Sequence, residues 1–92
     1  MFIVEYLKQL EKDQLGEPEI REGIRSQITL ALQDNQIAKE PYIRELIEDI
    51  DKTISFLEYA EIEGKRQEIL SNIEVLDTEI KSLVNALEKL ND

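Results

Sequence analysis

Between Ile69 and Leu90 an Ile or Leu recurs at alternating steps of four and three residues: Ile69, Ile73, Leu76, Ile80, Leu83, Leu87 and Leu90. That alternation keeps one narrow apolar line on a helix and is the pattern of a coiled-coil seam, with Ile73 and Ile80 at a and Ile69, Leu76, Leu83 and Leu90 at d. Ile at a with Leu at d favours two parallel strands. The seam therefore predicts self-association through these seven side chains, as a homodimer.

The rest of the chain reads as helix too. Phe2, Ile3, Tyr6, Leu7 and Leu10 are spaced for a short helix over 2–14, which "LGEP" at 15–18 stops. Gly16 suits the left-handed position after a helix, and Pro18 suits the first turn of the next. That second helix is expected over 18–34, burying Ile20, Ile24, Ile28 and Ala31, with Gly23 as a point of close approach. "QDNQIAKEP" at 33–41 is the next break, with Asn35 as a left-handed cap and Pro41 keeping Glu40 out of the helix. No proline follows Pro41. Ile43, Ile47, Ile50, Ile54 and Leu57 form a stripe upstream of the seam.

Gly64, in "EIEGKRQEIL", decides whether these stripes share one helix. Glu58, Glu61 and Glu63 precede it while Lys65 and Arg66 follow, the reverse of what the dipoles of two separate helices would favour. Glu61 and Lys65 are four apart, in the order that supports a helix continuing through the glycine. Phase argues the other way. Leu57 and Ile69 are twelve residues apart, which puts the stripes roughly 120° apart on a straight helix, so no single partner covers both. Ser71 and Glu74, with Leu70 and Val75 as a staple, have the spacing of a helix start.

The reading favoured by charge is all-α: two short N-terminal helices, then one helix from Tyr42 to about Asn91, roughly 75 Å long and ending in a coiled-coil segment. Residues 1–60 would form a small helical module and 61–92 an oligomerisation segment, within one continuous unit. The first half of the long helix would pack on the N-terminal helices and the second half on another chain. The alternative is a closed four-helix bundle with a turn somewhere in 60–71.

Composition excludes much chemistry. The 92 residues hold no His and no Cys, which removes imidazole bases, catalytic triads, thiolates and the usual metal ligands. Gly16, Gly23 and Gly64 are isolated, so there is no phosphate loop. "ELIEDID" at 45–51 gathers carboxylates, but a small helical chain with 5% aromatic residues offers them a poor cleft. Asp49, Asp51 and Thr53 share the opening spacing of a calcium loop, yet Ile54 stands where glycine is required and Ala60 where glutamate is. No enzyme activity, cofactor or metal is expected.

With 21 acidic and 11 basic residues the net charge is −10, which disfavours direct contact with nucleic acid or anionic lipid. A helix-turn-helix over 28–47 would present Glu45, Glu48 and Asp49 to phosphate, the wrong sign. The N-terminal apolar run is interrupted by Glu5 and lacks a basic flank, unlike a signal peptide, so a cytoplasmic location is expected. What remains is a helical protein–protein interaction module that self-associates through its Ile/Leu seam and binds another protein. Tyr42, Glu45, Glu48, Asp49, Phe56 and Tyr59 are the candidate contacts with that partner. A second reading is an acidic inhibitor that fills the basic groove of a nucleic-acid-binding protein, with affinity that falls steeply with salt.

Overall fold

The computed structural model describes residues 2–90. Among these the chain is all-α, with no strand. Helix α1 (Phe2–Lys8) buries Ile3, Val4 and Leu7. It is shorter than its apolar spacing predicts, because a 3₁₀ turn over Lys12–Gly16 takes over and buries Leu15. Helix α2 (Pro18–Leu32) starts with its proline in the first turn, as expected, and buries Ile24, Ile28 and Ala31. Asn35 is not a left-handed cap. It opens a one-turn helix, α3 (Asn35–Ala38), whose N-cap Asp34 accepts a hydrogen bond from the Gln36 amide at 2.9 Å. Pro41 opens α4 (Pro41–Glu63), with Glu40 held in extended backbone ahead of it.

The long helix through Gly64 does not form. Helix α4 ends at Glu63, Gly64 turns left-handed at φ 67°, ψ 26°, and α5 runs from Arg66 to Leu90. The Lys65 amide donates to the Ala60 carbonyl at 3.0 Å and the Gly64 amide to Glu61 at 3.2 Å. Those two bonds are the Schellman pair that closes a helix on a glycine. Lys65 lies over the Tyr59 ring, its Nζ 5.7 Å from the centroid, and its carbonyl already accepts the Ile69 amide of α5. Two residues thus reverse the chain. The proposed start at Ser71 falls inside α5, and the expected end near Asn91 lies outside the described residues.

The molecule measures 41 × 22 × 18 Å, about half the length of the expected rod. The most extensive helix contact is α4 against α5. The reversal resolves the phase problem, because the Ile43–Leu57 stripe and the Ile69–Leu90 seam now face one interior. Helix α1 and the 3₁₀ turn pack on α5, the surface expected to meet another chain. One apolar cluster draws on every element, from Ile3 through Leu87. Gly23 lets α1 and α2 approach closely, since a Cβ there would overlap the Tyr6 hydroxyl.

Two arginines join α2 to α4. Arg21, 2% exposed, donates from Nη1 to the Leu15 carbonyl at 3.2 Å and from Nη2 to Glu61 at 2.7 Å, leaving its Nε without a partner. Arg25 reaches Asp51 at 3.2 Å and Glu58 at 2.9 Å, and these contacts hold its guanidinium more firmly protonated. Glu58 and Glu61, two of the three carboxylates whose order argued for a continuous helix, are therefore engaged across the fold.

Gly64→Ala should lower stability by about 1–2 kcal/mol, the penalty for a left-handed L-residue. No atom lies within 4 Å of the Cβ position to add to it. Urea titration followed by circular dichroism measures the loss. Arg21→Met keeps the packing but strands the Leu15 carbonyl and removes the Glu61 bond. The same titration should show a loss of roughly 2–3 kcal/mol, the scale of charge-assisted hydrogen bonds.

Candidate protein-binding face

The side chains left over by the core define the site. Along the seam, Leu76, Ile80, Leu83 and Leu87 are buried, and Ile69, Ile73 and Leu90 are half-buried and packed against the same cluster. This line of α5 faces α4, α1 and the 3₁₀ turn of its own chain. The apolar surface that remains exposed lies elsewhere and includes Phe56, Tyr59, Ile62, Leu70 and Val75 near the reversal and Tyr42 at the start of α4. Phe56 and Tyr59 are each more than half exposed, at 56% and 55%.

Of these, Phe56, Tyr59 and Tyr42 border a groove between α4 and α5, and Val75 lies beside it. Thr53 and Ala60, both small and buried, let the two helices approach closely, and the Thr53 hydroxyl is satisfied by donating to the Asp49 carbonyl at 2.8 Å. Three depressions lie in or beside the groove. Nearest the reversal, one of about 600 Å³ is lined by Ser55, Phe56, Tyr59, Glu68, Ser71 and Asn72. The next lies on α5 alone, lined by Glu74, Val75, Thr78, Glu79 and Ser82. Ser82 also belongs to the third, where Tyr42 and Ile43 of α4 meet Asn85, Ala86, Lys89 and Leu90.

Acidic side chains line all three: Glu68 the first, Glu74 and Glu79 the second, and Glu40, with Lys89, the third. Glu79 is half-buried, and its carboxyl is pushed above the ordinary range, first by burial and then by the negative charge of Asp49 across the groove. A minority of the acidic side chains are paired inside the chain, as in Lys8–Glu88, Lys12–Glu74 and Lys81–Asp77. Among the described residues no positive side chain pairs with Glu79.

Of the residues singled out in the sequence, Tyr42, Asp49, Phe56 and Tyr59 share this face. Glu48 does not, and lies beside Arg25, Ile28 and Asp51 on the α2 side. Glu45 is exposed outside both linings. The α5 half of the groove was missed: Asn72, Val75, Glu79, Ser82 and Ala86 flank the seam and look like solvated coiled-coil positions. Their seven-residue spacing, Asn72–Glu79–Ala86 and Val75–Ser82–Lys89, is the signal that marks them as one line.

Asp49, Asp51 and Thr53 sit within a helix rather than a loop. Among the described residues no group of acidic side chains is arranged to hold a metal ion, and no helix is long and apolar enough to cross a membrane. No family model, curated protein or solved structure matches the chain.

A raised Glu79 carboxyl means that the folded chain keeps this proton to higher pH than the unfolded chain does. Stability is then lost as pH climbs from the unfolded value through the folded one, and the ionised group is unfavourable at pH 7. Glu79→Gln should therefore melt a few degrees higher at pH 7, given that a half-exposed charge is worth under about 1 kcal/mol. Thermal melts at a series of pH values should show that advantage disappear below about pH 4.

Proposed function

We propose that this chain is a non-enzymatic helical binding module that engages a protein partner through the open face of the α4–α5 hairpin. The observation that carries this reading is the division of apolar surface. The Ile/Leu seam packs into the chain's own core, fully at Leu76, Ile80, Leu83 and Leu87, while Phe56 and Tyr59 stay exposed beside an apolar depression. Exposed aromatic side chains around a concavity are the usual anchors of a binding hot spot. The absence of His and Cys from the sequence fits binding without chemistry.

On this reading the seam supports the chain's own core, and self-association does not run through it. The acidic-inhibitor alternative relies on charge spread over the whole surface, whereas the exposed aromatic face is local.

The test is capture from the host lysate by wild type and by Phe56→Ser/Tyr59→Ser. Both substituted positions lie outside the core, so the variant should melt within about 0.5 kcal/mol of wild type. It should lose at least nine-tenths of the partner that the wild type retains, read by quantitative mass spectrometry. Equal recovery by both proteins would remove the aromatic face from the function. Recovery that collapses for both between 0.05 and about 0.3 M salt would favour the acidic-inhibitor reading instead.

A further inference from the structure

The depression beside Phe56 and Tyr59 already holds a cation at its edge, and that contact indicates what it takes. Of the six residues lining it, Glu68 alone is charged. Ser55, also in the lining, accepts a hydrogen bond from Arg25 at 3.3 Å, but that guanidinium is matched by Asp51 and Glu58. The cation at the edge is the chain's own Lys65, the residue after the left-handed glycine. Its Nζ lies 5.7 Å from the Tyr59 ring centroid and 3.8 Å from Glu68 Oε1. One ammonium thus faces two walls of the depression, Tyr59 from α4 and Glu68 from α5.

Lys65 is held loosely there. Both distances are near the outer limits for a cation over a ring and for an ion pair, and Lys65 and Glu68 each stay about half exposed. A guanidinium meets the same two walls better. Its plane stacks on the ring while two parallel N–H groups bond both oxygens of the carboxylate, and it is less strongly hydrated than an ammonium. Ser71 and Asn72, on the same wall as Glu68, carry side-chain oxygens that can accept its remaining N–H groups.

The depression also extends past this seat. Phe56 is one turn from Tyr59 along α4, and Asn72 one turn from Glu68 along α5, both away from the reversal. Its apolar end is therefore about 5–6 Å from the cation seat. We propose that the depression binds an arginine of the protein partner between Tyr59 and Glu68, displacing Lys65, with an apolar side chain of the same segment one helical turn away against Phe56. This rests on the binding reading above and supplies its ligand chemistry. Lys65 then acts as a built-in competitor. A partner lysine gains little over the contact already present, whereas an arginine gains the stacked and paired geometry that Lys65 lacks.

The experiment uses the full chain and fluorescently labelled helical peptides of Ala/Gln background, with Leu at position 7 and Arg, Lys or citrulline at position 11. Anisotropy titrations at 0.15 M salt should give the Arg peptide at least threefold tighter binding than Lys and at least tenfold tighter than citrulline. The comparison with Lys is decisive, because general attraction to a chain of net charge −10 treats the two alike. Lys65→Gln should tighten the Arg peptide roughly twofold to fivefold, the worth of one exposed pair. Lys81→Gln removes the same charge beside α1 and should change it less than about 1.5-fold. Tyr59→Leu keeps an apolar wall and should bring the Arg and Lys peptides within about twofold of each other.

A Lys peptide that binds as tightly as the Arg peptide overturns the arginine seat. So does a Lys65→Gln chain no tighter than Lys81→Gln, or an Arg peptide that fails to bind up to about 1 mM. Arg66 and Leu70 of a second copy have the required spacing too, so a wild-type dimer in sedimentation that Arg66→Gln dissociates would assign the seat to a second copy and overturn the proposal. If the peptides fail while lysate capture still depends on Phe56 and Tyr59, the ligand chemistry falls and the binding face stands. If capture is also independent of those aromatics, both fall.

Discussion

The left-handed backbone at Gly64 is the constraint on which the other packing depends. One residue at positive φ, with two closing hydrogen bonds, turns two apolar stripes set about 120° apart on a straight helix into opposite walls of one core. Once α5 lies against α4, the seam has a partner in its own chain. The N-terminal segment then finds a surface for Ile3, Val4, Leu7 and Leu15, and the charged pairs bridging Lys8 and Lys12 to α5 sit at its edge. The groove is the reverse side of the same event. A pair of helices covered on one side by α1, the 3₁₀ turn, α2 and α3 leaves the other side open.

The two arginines that join α2 to α4, buried Arg21 and partly exposed Arg25, show how a strongly acidic chain keeps a tight fold. Glu58 and Glu61 lie in the last turns of α4, where the helix dipole disfavours negative charge by a few tenths of a kcal/mol to about 1 kcal/mol each. Arg25 and Arg21 offset that from α2, which carries no acidic partner of its own for them at those contacts. The pairs fix the angle at which α2 crosses the hairpin, and Arg21 ties the 3₁₀ turn to the same point through the Leu15 carbonyl. Burial of a guanidinium with one nitrogen unpartnered has a cost, and the apolar cluster around it holds the geometry.

Much of this architecture was legible in the sequence, and the boundaries of that legibility are physical. Pro18 and Pro41 marked helix starts because fixed φ and a missing amide proton suit that position alone. The stripes were legible because burial imposes a period. What misled was Gly64, where the local terms, dipole order and the Glu61–Lys65 spacing, pointed to continuity. Each is worth less than about 1 kcal/mol, and the side chains involved had partners 33 and 40 residues away that no local pattern reveals. Asn35 misled for a similar reason, because Asp34 beside it was the capping residue. Of the candidate face, the aromatic half stood out because Phe56 and Tyr59 fall off the buried stripe. The α5 half did not, since flanking positions of a seam look alike whether the covering helix comes from the same chain or another.

The brevity of the turn has a topological consequence. Only Gly64 and Lys65 separate α4 from α5, and their conformation alone distinguishes a hairpin from a straight rod. If Gly64 were helical, the contacts between α4 and α5 could re-form between two chains lying antiparallel, each completing the other's core. That exchanged dimer, unlike the parallel pair read from the seam, shares the monomer's interior and differs from it only in connectivity. The balance between them depends on the dihedral preference of one glycine and on chain concentration, since exchange gains no new core and forfeits the entropy of a free chain.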